Sequence, residues 1–505
     1  MLHDAVRGKL MKHSDFVQLF GNQIGYTSVL YYLFLPAAAV LYYLFPKRHR
    51  WIVLLAASGL FYYWLFPTWQ QAAVFAASIV SSWIFGRVIG LHRNKRILAA
   101  GIIISALPLF LVDGGKMLIS FSGGGCGEIR LPGFLVPVGL SFYSLQVISY
   151  LADIYSGKVT PQNNVLKYAL FISFFPQLIQ GPIPRYNDLS YQLTDGNEFD
   201  PDNVQRGFQL ILWGFFLKLM VADKASVIVD TVFNNWQNYY GSYYLVAGIL
   251  YSLQLYADFL ACTTLSQGAA KIFGITVTDN FNHPYFSTSI KDFWRRWHMS
   301  LSFWLRDYVY IPLGGNREGK LRKYMNLMIT FLVSGIWHGG TIKFVFWGLL
   351  HGFYQIAGEL TQRMRNRMWI YLGQNTDSKV KHVCRVSGTC FLVMLAWIIF
   401  RAEHLYIGIH MIKSIFTEFS PWILSGTHLF ELGLSQLECF VLAISVLLLL
   451  FVSRRQEKGT IIGDRIMKLN VLFRYIIYLA GIVTIAVFST YGFEFNAADF
   501  IYGGF

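Results

Sequence analysis

The sequence predicts an all-α polytopic membrane protein; scarce charge, recurrent apolar runs and basic residues confined to short loops point to it. Of 505 residues, 55% are hydrophobic and 17% aromatic, while only 14% are charged. An average soluble protein carries roughly 25% charged residues. A soluble chain of this length would divide into several domains with polar surfaces. There is too little charge here to cover them, so lipid is the solvent for most of the chain.

A membrane-crossing helix needs about 20 mostly apolar residues. Runs of this kind occupy 27–45, 51–66, 72–91, 97–112, 134–154, 208–221, 243–260, 324–336, 344–356, 389–400, 437–452 and 475–490. Several are short, which implies tilted or re-entrant segments, and roughly ten to twelve crossings are expected. The chain then reads as an N-terminal segment (1–26), a transmembrane core (27–474) and a last helix with its tail (475–505). Residues 1–23 are polar and of mixed charge, so no cleavable signal peptide is expected.

The net charge of +15 gathers in Lys47-Arg48-His49-Arg50, in Arg93 with Lys95-Arg96, and in Arg454-Arg455 with Lys458. The positive-inside rule places such loops in the cytoplasm. The first helix then starts outside, 475–490 exits, and 491–505 lies on the outer face. Arg7, Lys9 and Lys12 run against this assignment. No basic helix or aromatic-and-basic module accompanies the charge, so membrane lipids rather than nucleic acid are the expected partners. Cys126, Cys262, Cys384, Cys390 and Cys439 form no CxxC pair. They suggest small buried apolar side chains, and no metal site is expected.

Two stretches interrupt the apolar pattern. Phe175-Pro176-Gln177-Leu178-Ile179-Gln180-Gly181-Pro182-Ile183-Pro184-Arg185 has three prolines in apolar surroundings, as a broken or re-entrant helix would. The stretch 281–323 sets Trp294, Trp297 and Trp304 among Arg295, Arg296, His298, Arg306 and Asp307. Composition alone fits an interfacial helix with snorkelling arginines as well as a functional segment. Further on, Ser334-Gly335-Ile336-Trp337-His338-Gly339-Gly340 ends an apolar run. An ionisable residue there is costly and marks a candidate site, with a satisfied core histidine as the alternative. Histidine can take and return a proton near neutral pH.

The string from Phe293 to Asn316, followed by Gly335-Ile336-Trp337-His338-Gly339, resembles the signature of the membrane-bound O-acyltransferase (MBOAT) family. The branch it resembles is the bacterial one that includes alginate and peptidoglycan O-acetyltransferases and the teichoic-acid D-alanylation transporter-like protein. Phe34-Leu35-Pro36, the segment 173–183 and Asp279-Asn280-Phe281-Asn282-His283-Pro284-Tyr285 resemble that branch too. One stretch departs from it: Asp258-Phe259-Leu260-Ala261-Cys262-Thr263-Thr264 lacks the second acid of the family's Asp-Phe-Ser-Gly-Tyr-Ser-Asp.

The resemblance implies the MBOAT fold, with a tunnel joining a cytoplasmic thioester donor to an extracytoplasmic acceptor. It implies catalytic His338 and His298. Trp294, Arg296, Trp297, Arg306, Asp307, Asn316, Ser334 and Trp337 would line the tunnel or hold substrate. Phe500-Ile501-Tyr502-Gly503-Gly504-Phe505 resembles an acyl-relay motif, with Tyr502 carrying the acyl group; a lipid-anchored aromatic terminus is the alternative. The expected activity is O-acetylation of an extracellular or cell-wall polysaccharide from acetyl-CoA, with no permanently bound cofactor. An SGNH-type or other extracytoplasmic acetyltransferase would receive the acyl group, and the protein would sit in the bacterial cytoplasmic membrane. Teichoic-acid D-alanylation from a carrier-protein thioester and secondary transport are the alternatives.

Overall fold

The computed structural model describes residues 26–65, 68–121, 136–178, 180–374, 378–424 and 427–489. Tyr502 with the tail, the N-terminal segment to residue 25 and Cys126 lie outside the described residues, which contain helices and no strand. The first helices are α1 (Val29–Leu44), α2 (Arg50–Leu65), α3 (Trp69–His92), α4 (Lys95–Ser105), α5 (Leu107–Phe121) and α6 (Leu140–Tyr155). The middle of the chain adds α7 (Pro201–Phe215), α8 (Asp223–Asn234) and α9 (Ser242–Ile272). Then come α10 (Ile290–Arg296), α11 (Met299–Leu305), α12 (Lys320–Trp337), α13 (Ile342–Leu360), α14 (Lys379–Arg401), α15 (Gln436–Glu457) and α16 (Val471–Phe488).

Among the described residues, five helices are long and apolar enough to cross a membrane alone: α3, α9, α14, α15 and α16. The apolar run 97–112 is not one straight helix. It breaks at Ala106 into α4 and α5, a pair bent by 71°. Pro108 accounts for the break, because its ring would clash with the carbonyl four residues back and it offers no N–H. If the bent pair is one span the total is six. Several other expected spans are helices that are shorter or carry more polar residues. Of the cysteines, Cys262 is buried, but Cys384 is exposed, which corrects the expectation of uniform burial.

α9 is the central element: 67% of its apolar window is buried, against 11% for α16 at the rim. Its small residues explain its position. A Cβ on Gly268 would meet the Gly207 carbonyl oxygen at 2.8 Å, and one on Gly207 would meet that of Gly268 at 2.7 Å. Glycine at both places lets α7 and α9 approach backbone to backbone, as membrane helices do. Past this contact the backbone opens into a π-helix, Phe216–Ala222. From it Lys218 reaches Asp223 at 3.0 Å and Asp258 of α9 at 2.8 Å, with all three residues buried.

The basic loops gather at one end of the bundle. Tyr43 donates to the Ile272 carbonyl at 2.8 Å, so α1 and α9 end together. Lys47 pairs with Glu198 at 3.3 Å, and the loop beyond α9 leads to Arg296, which pairs with Glu457 at the end of α15. α2 and α3 run out and back, which returns His92 to the same end as Leu44. The proline-rich interruption is buried rather than lipid-exposed: Phe174, Phe175, Gln177, Leu178, Gln180 and Ile183 are all inside. Irregular backbone at membrane depth persists only when protein covers it.

Candidate active site

The tryptophans of the second interruption face inward. Trp294, Trp297 and Trp304 are 7%, 1% and 5% exposed, which is a core arrangement and not an interfacial belt. Ser289 caps α10, its hydroxyl accepting the Asp292 N–H at 3.1 Å. The chain then turns sharply, because His298 holds a φ of +43°. A left-handed conformation in a residue with a Cβ costs on the order of 1–3 kcal/mol and survives only where its surroundings over-determine it.

Asn280 supplies that determination. Its backbone carbonyl takes the Met299 N–H at 2.9 Å. Its Oδ1 accepts the Ser300 N–H at 3.2 Å and the Ser300 hydroxyl at 2.9 Å, and lies 3.1 Å from His298 Nδ1. A backbone N–H can only donate, so Oδ1 is the amide oxygen and His298 Nδ1 carries the hydrogen. The lone pair of the neutral ring therefore sits on Nε2, which is the arrangement a proton acceptor requires.

His338 caps the end of α12, its N–H shared between the Ser334 and Gly335 carbonyls at 3.2 Å each. Gly339 and Gly340 follow with φ of +134° and +67°, and that reversal sends the chain into α13. At the opposite end of this hairpin Lys323 donates to Glu359 at 2.7 Å, and that hydrogen bond holds the Glu359 carboxyl below its ordinary range. The Trp337 ring neighbours both imidazoles, its centroid 6.1 Å from His298 and 4.8 Å from His338. Trp347 and Phe400 complete the box around His338 at 5.0 and 5.5 Å. Two imidazoles inside an aromatic enclosure can exchange protons with a substrate shielded from water.

Comparison with known proteins follows the same lines. The membrane-bound O-acyltransferase family profile matches residues 162–400, which include both histidines. The chain is 34% identical over 432 residues to the probable alginate O-acetylase of Pseudomonas fluorescens, covering 83% of this chain and 81% of that protein. The chain belongs to the membrane-bound O-acyltransferase family. It is also 33% identical to the peptidoglycan O-acetyltransferase of Helicobacter pylori over 56% of this chain and 57% of that protein. With the teichoic acid D-alanyltransferase of Bacillus subtilis it shares 30% over 42% of this chain and 56% of that protein. It is thus a multi-pass membrane O-acyltransferase, which sets the transporter alternative aside.

In this acyltransferase the residues singled out from the sequence divide into two groups. His298, His338, Trp294, Trp297, Trp337 and Ser334 come together inside the bundle. Arg296 points to the rim, its Nη1 on Glu457 at 2.8 and 2.9 Å and its Nε on Asp292 at 3.2 Å. Asp307 pairs with Arg185 at 3.1 Å and with Arg306 at 2.8 Å, tying the two interrupted segments to each other. Asn316 is exposed.

Sequence reasoning passed over Asn280, Lys218 and His351. His351 is fully buried and accepts from the Trp294 indole N–H at 3.2 Å. The signal for His351 and Lys218 was available, since each is an ionisable residue inside an apolar run. Among the described residues no group of three His, Cys, Asp or Glu side chains is placed to hold a metal. An apolar cleft of about 470 Å³ opens between α1, α7 and α16, away from the histidines and lined by Leu35, Phe208, Phe215 and Ile482.

Proposed function

We propose that the protein moves an acetyl group from cytoplasmic acetyl-CoA to a hydroxyl of an extracellular or cell-wall polysaccharide. A bundle of ten to twelve crossings would enclose the tunnel joining the two faces, in the bacterial cytoplasmic membrane. The observation that carries this reading is the pair of buried histidines that share Trp337 as a neighbour. His338 acts as general base on the acceptor hydroxyl, which attacks the thioester carbonyl. His298 shapes the site beside it and makes no hydrogen bond to that hydroxyl, whose single hydrogen goes to His338. The acetyl donor is favoured because the alginate O-acetylase is 34% identical over 83% of the chain, while two D-alanyltransferases match 42% at 30% identity and 61% at 25%.

In purified protein supplied with acetyl-CoA, His338→Gln loses roughly 10²- to 10⁴-fold in turnover, the loss typical of a missing general base. Turnover at the wild-type rate would end the assignment. One observation favours a second reading with His298 as the base, namely the tautomer fixed by Asn280. His298→Gln keeps an acceptor without basicity, so its activity separates the two: near-wild-type turnover leaves the base at His338, and loss equal to that of His338→Gln moves it to His298. Tyr502 is proposed to carry the acetyl group onward to an extracytoplasmic, SGNH-type acetyltransferase. Tyr502→Phe then expresses normally and leaves the polymer unacetylated, and wild-type polymer acetylation would exclude the relay.

A further inference from the structure

Trp347 and His351 lie one turn apart on α13 and so face the same side of it. Both are fully buried, and their rings meet edge to face with centroids 4.9 Å apart. The Trp294 indole N–H donates to His351 Nδ1 at 3.2 Å. An indole nitrogen can only donate, so Nδ1 holds the lone pair and the neutral ring carries its hydrogen on Nε2. Neither this Nε2–H nor the Trp347 Nε1–H meets an acceptor among the described residues.

Two other buried tryptophans do find acceptors. Trp304 donates to the Leu145 carbonyl at 2.9 Å and Trp337 to the Ser141 carbonyl at 3.3 Å. Leaving a buried donor unmatched is costly, and here two occur within a single turn. Two donors with no acceptor complement an oxygen that brings lone pairs and no hydrogen of its own. A thioester carbonyl is such an oxygen. The Trp347 ring also touches His338, at 5.0 Å between centroids.

We propose that Trp347 and His351 form a catalytic donor pair that binds the carbonyl oxygen of the acyl donor and the charge it gains during transfer. The proposal rests on the reading of this site as the place where an acceptor hydroxyl meets a thioester. As the hydroxyl oxygen bonds to the carbonyl carbon, its proton passes to the histidine base and the carbonyl π pair moves onto oxygen. The two N–H groups receive that oxyanion. When the pair returns, the C–S bond breaks and the leaving thiolate takes the proton from the imidazolium, giving the ester and the free thiol. Donors already fixed in a water-poor site stabilise such charge without having to reorganise.

The test uses purified full-length protein and acetyl-CoA labelled at the carbonyl carbon. Trp347→Phe keeps the ring and removes one N–H, and kcat falls roughly 10²- to 10³-fold with KM nearly unchanged. In the stalled His338→Ala background the bound carbonyl infrared band lies below its solution frequency, and adding Trp347→Phe returns it toward that value. His351→Phe behaves likewise; should it fail to fold, Trp347→Phe carries the test alone. Wild-type kcat with an unmoved band means that the donors hold only water and overturns the proposal, as does either change without the other. If wild-type protein neither binds nor consumes acetyl-CoA, the donor assignment fails instead, and both readouts are then taken with a carrier-protein thioester.

Discussion

Lys218 shows how this bundle tolerates charge. Its ammonium is buried with the carboxylates of Asp223 and Asp258 at 3.0 and 2.8 Å, and neither attraction would repay burial without the contact distances seen. Lys218→Met strands two carboxylates and lowers stability by about 3–5 kcal/mol. Thermal unfolding in detergent, followed by tryptophan fluorescence, measures it. Neutralising all three side chains together restores stability to near the wild-type level, because the desolvation cost goes with the charges; an equal loss in the triple variant would contradict this. At the same scale His298 and His338 were legible in the sequence, each an ionisable residue among apolar and aromatic neighbours. Their tautomers and enclosure were not. Asn280, which sets His298, stands 18 residues earlier in the chain, and nothing in local spacing links the two.

Among elements, the contact of α7 with α9 sets the centre of the bundle. Gly268→Ala drives a methyl to 2.8 Å from a backbone oxygen that cannot swing aside. Overpacking of this kind costs about 1–3 kcal/mol. The variant unfolds at a lower temperature than wild type; an unchanged transition would mean that the two helices part without penalty. Apolar runs announced most of the helices. They did not reveal the break at Ala106, where Pro108 acts within a run apolar on both sides. Nor could they distinguish a buried Trp294-to-Trp304 segment from one lying in the interface, since both readings satisfy the same alternation of aromatic and basic residues.

For the whole molecule, the basic loops mark one end of the bundle, and we propose from the positive-inside rule that this end faces the cytoplasm. Single cysteines placed at 93–96 and at 454–458 in a cysteine-free background should resist impermeant reagents in intact cells and react once the membrane is opened. Labelling of both loops from outside would invert the protein and place Tyr502 on the wrong face for a relay. The sequence by itself determined the solvent, the helical class, the family resemblance and two of the buried histidines, because scarce charge and costly ionisable residues leave their trace in composition. Only the tertiary structure decided which residues meet. It drew Trp337 up to both His298 and His338, added His351 beside Trp347, and turned Arg296, Asp307 and Asn316 away from them. Those outcomes depend on hydrogen bonds and packing between segments far apart in the chain, whose energies no local pattern records.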